Sequence, residues 1–351
     1  MSLVLSEPQQ GELPFEEDCV IRLAGRRVEV TEVFWSYWRL AAERQAIFYR
    51  RAAGELGPWT SDLILARHRF TNAYRASDRV SQYLLHHVIY DEDHDVLDTI
   101  LRVLIFKIFN RIDTWEHLVD RVGQPTVVGF SADGYAKALD ELLDQGRRLY
   151  SAAYIMPSPR LGADRKHRDH LSLLEGLLRA GALADLERAS SLRSLYEQLC
   201  EVPSFGPFLA FQYAIDLNYT PHFDFDEMEF VVAGPGAVRG IHKCFTDTGG
   251  LDTAGVIAAM ADSAPEFFEM TPMPTPFQDL WGRPLQLIDC QNLFCEVDKY
   301  ARVAHPEYSL GGPGRIKQVY RVDHRPLTLG YPPKWGLPYS AHDPSSLSAA
   351  S

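Results

Sequence analysis

Apolar positions recur every three to four residues over most of this 351-residue chain, the spacing of amphipathic helices. Phe34, Trp35, Trp38, Leu40 and Ile47 form one broad apolar face, Thr31 is placed to cap its start, and Gly54, Gly57 and Pro58 end it. Trp59 to Asp62 reads as the cap of the next helix. A long helix is predicted over Arg69 to Val88. It carries Ala73, Ser77, Val80, Leu84 and Val88 on one face and Asn72, Arg75, Arg79, Gln82 and His86 on another. Val96 to Asn110 is almost wholly apolar and predicts a central buried helix, and further helical periods cover about 114–122, 131–147, 168–182, 188–200 and 285–304. Pro272, Pro274, Pro276 and Pro284 mark an extended loop over 271–284. Strand signals are confined to Cys19–Leu23, Thr126–Gly129 and Phe230–Ala233, so the fold class is mainly α with few short strands. Residues 1–29 read as an irregular leader and 30–325 as one helical domain, with two lobes at about 30–155 and 165–305 as its finer division. Residues 326–351 read as a Pro/Gly/Ser-rich tail that wraps over the surface or frays.

Composition adds limits. Hydrophobic residues make up 46% and charged residues 23%, so the chain can bury a full core. No apolar run reaches the length of a membrane span, and the first residues lack the basic and apolar segments of a signal peptide, which leaves the cytoplasm as the default location. Five scattered cysteines without a CxxC pair support neither a disulfide framework nor a metal cluster; no metal site and no cofactor are expected. A net charge of −12 argues against avid non-specific binding of nucleic acid, though not against a local basic groove.

Four groups of residues can carry chemistry. In Val202-Pro-Ser-Phe-Gly-Pro-Phe-Leu-Ala210, a Pro-x-x-Gly turn joins two helical patterns; outward backbone N–H groups around Ser204 and Gly206 can hold a phosphate, or the turn is a plain helical corner. Gly234-Pro-Gly236 opens a helix bearing Arg239 and Lys243 four residues apart, either an anion nest or a tight turn with solvated cations. The face of Asn72, Arg75, Arg79 and Gln82 can grip phosphate and probe a base edge, or be solvated surface. Asn292, Glu296 and Lys299 share a face that can line a polar pocket or form a surface ion pair. A Gly-x4-Gly-Lys-Ser/Thr loop occurs nowhere, so this is not a stand-alone P-loop kinase.

Taken together, Phe34-Trp-x-x-Trp-x-Leu40, Pro58-Trp-Thr-x-Asp62, Phe70 to Gln82, Leu104 to Arg111, Gly206 to Ala210, Val231 to Ala237 and Gln291 to Glu296 resemble the helical domain of 5-hydroxymethyl-deoxyuridine DNA kinases. That group sits with the α-glutamyl/putrescinyl-thymine pyrophosphorylases and is distantly similar to helix-hairpin-helix DNA glycosylases. The resemblance spans roughly residues 30–325. It implies a base flipped out of DNA and read in a helical pocket. It also implies a catalytic aspartate about twenty residues after the hairpin's second glycine, which falls on Asp226. Ser204 stands where the hairpin's first glycine is usual, and Phe208 stands near the lysine of lyase-type members, so a Schiff-base route has no support there.

The expected activity is thus a nucleobase-modifying transferase or pyrophosphorylase acting on a 5-substituted pyrimidine in DNA, or on a related nucleotide, with a separate kinase or transferase as partner. Asp226 and Glu296 are the candidate catalytic groups. A glycosylase that cleaves the N-glycosidic bond, and a non-catalytic binding module for modified DNA, are the alternatives.

Overall fold

A computed structural model of the chain describes residues 19–92, 95–309 and 315–341. Most of the expected leader (1–18), Gly311 to Gly314 and the end of the expected tail (342–351) lie outside the described residues. A small antiparallel sheet precedes the helices. β1 (Cys19–Leu23) pairs with β2 (Arg26–Val30) from Cys19↔Val30 to Leu23↔Arg26, and β2 pairs with the short β3 (Phe245–Asp247). Val28 and Val30 point into the core while Arg26 and Arg27 face out, the alternation of a half-buried strand.

α1 (Glu32–Ala52) starts where Thr31 Oγ1 accepts the Val33 N–H, and its buried Phe34, Tyr37 and Trp38 meet Phe267 and Phe294 edge-on, stacked or tilted. α2 (Leu63–Arg67) is capped by Asp62 through the N–H groups of Ile64 and Leu65. α4 (Val96–Phe109) runs through the core with eleven buried residues in succession, Thr99 to Phe109, and ends on Asn110 in the left-handed region. Around it pack α5 (Ile112–Val122), α6 (Ala132–Asp144), α7 (Lys166–Arg179), α8 (Ala182–Glu187), α9 (Leu192–Cys200) and α10 (Pro207–Asn218). α11 (Pro235–Cys244), α12 (Thr253–Asp262), α13 (Ala264–Met270) and α14 (Leu287–Ala304) complete the core. The mainly α fold class holds.

Three expectations change. The stretch 69–88 is not one helix. Residues 69–74 are irregular, Arg75–Ser77 make a 3₁₀ turn, α3 (Arg79–Leu84) begins after extended Asp78, and Leu85–Ile89 widen into a π turn. Asp78 turns its carboxylate back to the Asn72 N–H at 2.8 Å, a local bond that competes with helix at the point where periodicity alone predicted continuity. Thr126–Gly129 is a turn and Phe230–Ala233 carries no strand; the strand that closes the sheet is β3.

α11 and α14 touch through small residues spaced like a zipper. A Cβ on Gly236 would sit 3.0 Å from Cys295 Sγ, and one on Gly240 would sit 2.0 Å from the Phe294 carbonyl oxygen. The two backbones approach too closely for any side chain at 240.

Candidate functional site

The centre of the molecule holds an ionic cluster built from side chains far apart in sequence. Asp216 of α10 is fully buried; its Oδ1 accepts from Arg75 Nη1 at 2.7 Å, and Lys107 Nζ of α4 stands 3.0 Å from Oδ2. Arg75 Nε also donates to Gln212 Oε1, Gln212 donates to Gln291 Oε1, and Gln291 donates to Cys295 Sγ. The Arg75 N–H is held by Asp289 Oδ1 at 2.7 Å. The two cations beside Asp216 outweigh its desolvation and hold its carboxyl below the usual range, while burial pulls the Lys107 ammonium down. Lys107 lies 4.8 Å from the centre of the Tyr154 ring, and Tyr154 stacks on Phe208, whose ring leaves room only for glycine at 234.

Beside this cluster, the irregular loop 70–78 meets α14 along a polar seam, or crevice, of hydrogen bonds and an ion pair. Arg44 of α1 donates to the Thr71 carbonyl and to Asn72 Oδ1, both at 2.8 Å, and Asn72 Nδ2 donates to the Ser77 carbonyl. The Thr71 N–H donates to Glu296 Oε2 at 3.0 Å, and the next N–H, that of Asn72, donates to Asp78 Oδ1. Lys299 Nζ is 2.6 Å from Glu296 Oε2 and lies over the Phe70 ring. Asn292 is buried one turn before Glu296, and among the described residues no hydrogen bond reaches its amide. Burial first, then the nearby Glu296 carboxylate, push Asp78 up to about 7, against the pull of the Asn72 N–H, Arg44 and Arg75. By surface area Asp78 is only half-buried, so its rim stays reachable from solvent while its surroundings remain poorly hydrated.

The candidates from sequence divide. Asn72, Glu296 and Lys299 meet in the crevice, with Asn292 on the same helix. Arg75 does not share a helical face with Arg79. It is buried in the ionic cluster, and Arg79 is the exposed first residue of α3, with Arg69 and Arg325 near enough to depress its guanidinium after burial does. Gln82 is buried and committed: its amide donates to the Ala76 and Gly330 carbonyls and accepts the Gly330 N–H, which leaves no edge to read a base. Ser204 adopts φ +70, the left-handed region in which glycine is usual, and its Oγ has no partner. Gly206 and Gly234 precede Pro207 and Pro235 at the starts of α10 and α11, and neither helix start has a side-chain cap. A Cβ on Gly206 would meet nothing within 4 Å, so no close approach requires glycine there. Gly236 serves the helix contact already described. Arg239 and Lys243 both pair with the buried Asp298, which also takes Arg302; they act as packing ion pairs and not as a free basic face. Asp226 is exposed, and its Oδ1 caps its own turn through the Met228 N–H at 2.8 Å. Its neighbour Glu227 is the buried acid, paired with Arg283 at 2.8 Å and pushed up to about 7 by burial.

The sequence reading passed over Asp78, Arg44, Lys107 and Asp216. Lys107 and Asp216 had a signal: each is one charge inside an almost wholly apolar helix, Leu104-Ile-Phe-Lys-Ile-Phe109 and Ala214-Ile-Asp-Leu217, and a buried charge needs a partner. Asp78 and Arg44 lie in mixed-polarity stretches and had none.

The segment 315–341 runs back across the crevice loop. His68 bridges Val319, Ser77 Oγ meets the Tyr331 hydroxyl at 2.8 Å, and Gly330 binds Gln82 through both backbone groups. Lys334 Nζ donates to the carbonyls of Asn218, Thr220 and Phe223 beyond the end of α10, and burial lowers its ammonium to about 8. Tyr331 is fully buried. The expected tail therefore wraps over the surface through residue 341.

Other chemistry is sparse. Cys295 borders the cluster, but burial pushes its thiol up to about 12, so it stays protonated. Glu32, His305 and Glu307 bring ligand atoms within 4.8 Å of one another and could hold a cation; they share no residue with the crevice. Two surface concavities, about 340 Å³ beside Tyr83 and Trp115 and about 230 Å³ beside Leu177 and Phe205, also lie apart from its residues. Among the described residues no helix is long and apolar enough to cross a membrane.

Comparison with known proteins agrees with the resemblance in sequence. The family described as "5-hmdU DNA kinase, helical domain" matches residues 31–310. A protein named "5-hmdU DNA kinase" from Bacillus phage SP10 is 24% identical over 297 residues, which take in 78% of this chain and 46% of that protein. This chain thus spans less than half the length of that relative. No solved structure matches.

Proposed function

Because the chain belongs to the family of 5-hmdU DNA kinase helical domains, we propose that it is a DNA-modification domain that takes a 5-substituted pyrimidine into the crevice between loop 70–78 and α14. One observation carries this reading. The Glu296–Lys299 pair and Asp78, far apart in sequence, are brought onto the consecutive backbone amides of Thr71 and Asn72 at the edge of a buried ionic centre, with the Asn72 side chain beside them. A hydrogen-bonding amide, a fixed carboxylate and an ammonium at one crevice are the groups needed to read and activate a nucleobase. Glu296 is the catalytic carboxylate of this proposal, with Asn72, Asn292 and Lys299 lining the base. The Tyr154–Phe208 stack offers an aromatic wall. Arg79, with Arg69, takes the DNA backbone, and the uncapped helix starts at Gly206 and Gly234 take phosphate oxygens. Asp226, exposed at its turn, belongs to the DNA-facing surface in this scheme. A separate kinase or transferase works beside the domain.

Anisotropy of a duplex carrying one 5-hydroxymethyluracil, measured against its thymine twin, tests the reading. The modified duplex is expected to bind about tenfold more tightly, the worth of one good base contact. Glu296→Gln and Asn72→Ala are expected to lose that preference. Equal affinity for the two duplexes overturns the proposal. A second reading, glycosidic cleavage, is favoured by the left-handed Ser204 in a hairpin-like turn between α9 and α10; alkali-labile breaks at the modified base would establish it, and intact strands exclude it.

A further inference from the structure

Asp78 has the placement of a residue that binds through its proton. Its backbone occupies the cap position of α3, but its side chain does not cap that helix. It reaches back across the loop instead, where Oδ1 accepts the Asn72 N–H, and among the described residues Oδ2 has no hydrogen-bond partner. The adjacent N–H, that of Thr71, holds Glu296. The two carboxylates held by successive amides are close enough for the Glu296 charge to raise Asp78.

Their surroundings differ. Glu296 has the Lys299 ammonium at 2.6 Å; no cation lies within ion-pair distance of Asp78 among the described residues. The charged groups that face Asp78 are Arg44 of α1, Arg75 of its own loop, Lys107 of α4 and Glu296 of α14, with the Tyr154 hydroxyl approaching from the loop after α6. Each of these cations is directed elsewhere: Arg44 to Thr71 and Asn72, Arg75 and Lys107 to Asp216. A carboxyl without a close cation, beside another carboxylate and shielded from water, keeps its proton to about pH 7.

We propose that Asp78, while protonated, is the hydrogen-bond donor of the crevice, offering the proton on its open oxygen to a ring oxygen of the pyrimidine held beside Glu296. No covalent bond breaks: the Oδ2–H donates, the ring oxygen accepts, and loss of that proton above neutral pH removes the donor and leaves a carboxylate facing the ring oxygen. The inference rests on the base-handling reading above.

The experiment follows affinity for the 5-hydroxymethyluracil duplex from pH 5.5 to 8.5 in the wild-type chain, Asp78→Asn and Asp78→Glu. Wild-type binding is expected to weaken about tenfold per pH unit above a midpoint near 7, the linkage slope of one proton. Asp78→Asn, which mimics the protonated side chain and can still donate, is expected to bind with a flat profile, and Asp78→Glu to restore the slope. Circular-dichroism melts confirm that the variants are folded. A preference for the modified duplex whose pH slope survives in Asp78→Asn, or that is flat in wild type, overturns this inference alone. No preference at any pH in any variant overturns the base-handling reading and this inference with it.

Discussion

Replacing Asp216 by Asn removes the one carboxylate that balances two buried cations. The side chain has no solvent exposure, Arg75 keeps 3% and Lys107 6%, so water cannot re-solvate either cation without opening the core. Breaking a buried pair by removing one partner costs about 3–5 kcal/mol, a fifth or more of the roughly 5–15 kcal/mol that holds a typical domain together. Replacing Lys107 by Met instead leaves Arg75 and Asp216 matched one to one. It removes the cation that burial already disfavours, and forfeits its 3.0 Å contact with Asp216 Oδ2, its contact with the Tyr154 ring and a 3.2 Å bond to Asn110 Oδ1. That change is expected to cost about 1–2 kcal/mol. Asp216→Asn/Lys107→Met together should cost at least about 1 kcal/mol less than the two costs added, because the second change removes a charge stranded by the first. Urea unfolding followed by circular dichroism at pH 7 gives all three values, with the slope as a check that the unfolded state is unchanged. If Lys107→Met proves the more damaging change, or if the two costs simply add, the cluster is not held by charge balance and the reasoning fails.

Two further outcomes follow from packing and from proton linkage. Gly240→Ala is expected to cost at least about 1–3 kcal/mol, since its Cβ would meet a backbone oxygen at 2.0 Å, whereas Gly206→Ala, with nothing within 4 Å, is expected to be neutral or slightly stabilising; thermal melts of the pair check both. Asp78 and Glu227 are raised to about 7 and Asp289 to about 6, so between about pH 4 and 7 these three carboxyls hold protons that the unfolded chain has lost, while burial lowers His86 and His170 to about 4 and works in the opposite direction. The carboxyl share of stability falls as pH rises through that window, so relative to wild type Glu227→Gln should gain on the order of 2–4 kcal/mol between about pH 4 and 7 in urea melts; an unchanged difference across the window would contradict the burial of Glu227.

Much of the helical scaffold was legible because it depends on local signals. Thr31 and Asp62 cap the helices they were expected to cap, and the apolar runs at 96–109 and 287–304 became the buried helices. α12 and α13 escaped notice because their small residues, Ala254 to Ala261, make no amphipathic stripe, and β2 and β3 because their pairing joins residues more than 200 positions apart. The crevice was legible in its α14 half, where Asn292, Glu296 and Lys299 share a face. It was not legible in its loop half. There periodicity favoured a continuous helix, and the bonds that prevent one come from Arg44, Asp289 and Gly330 in distant parts of the chain.

The clasp of Gly330 on Gln82 joins residues 248 positions apart. On a ribosome adding roughly 5–20 residues per second, the loop that holds Asp78 emerges on the order of ten to fifty seconds before the segment that fastens it. Throughout that interval Gln82 and Ser77 lack their partners and the buried charges around Arg75 have no lid. The crevice is thus among the last parts of the domain to take shape, and a nascent chain stalled before residue 330 carries the crevice's helices without the contacts that fasten its loop.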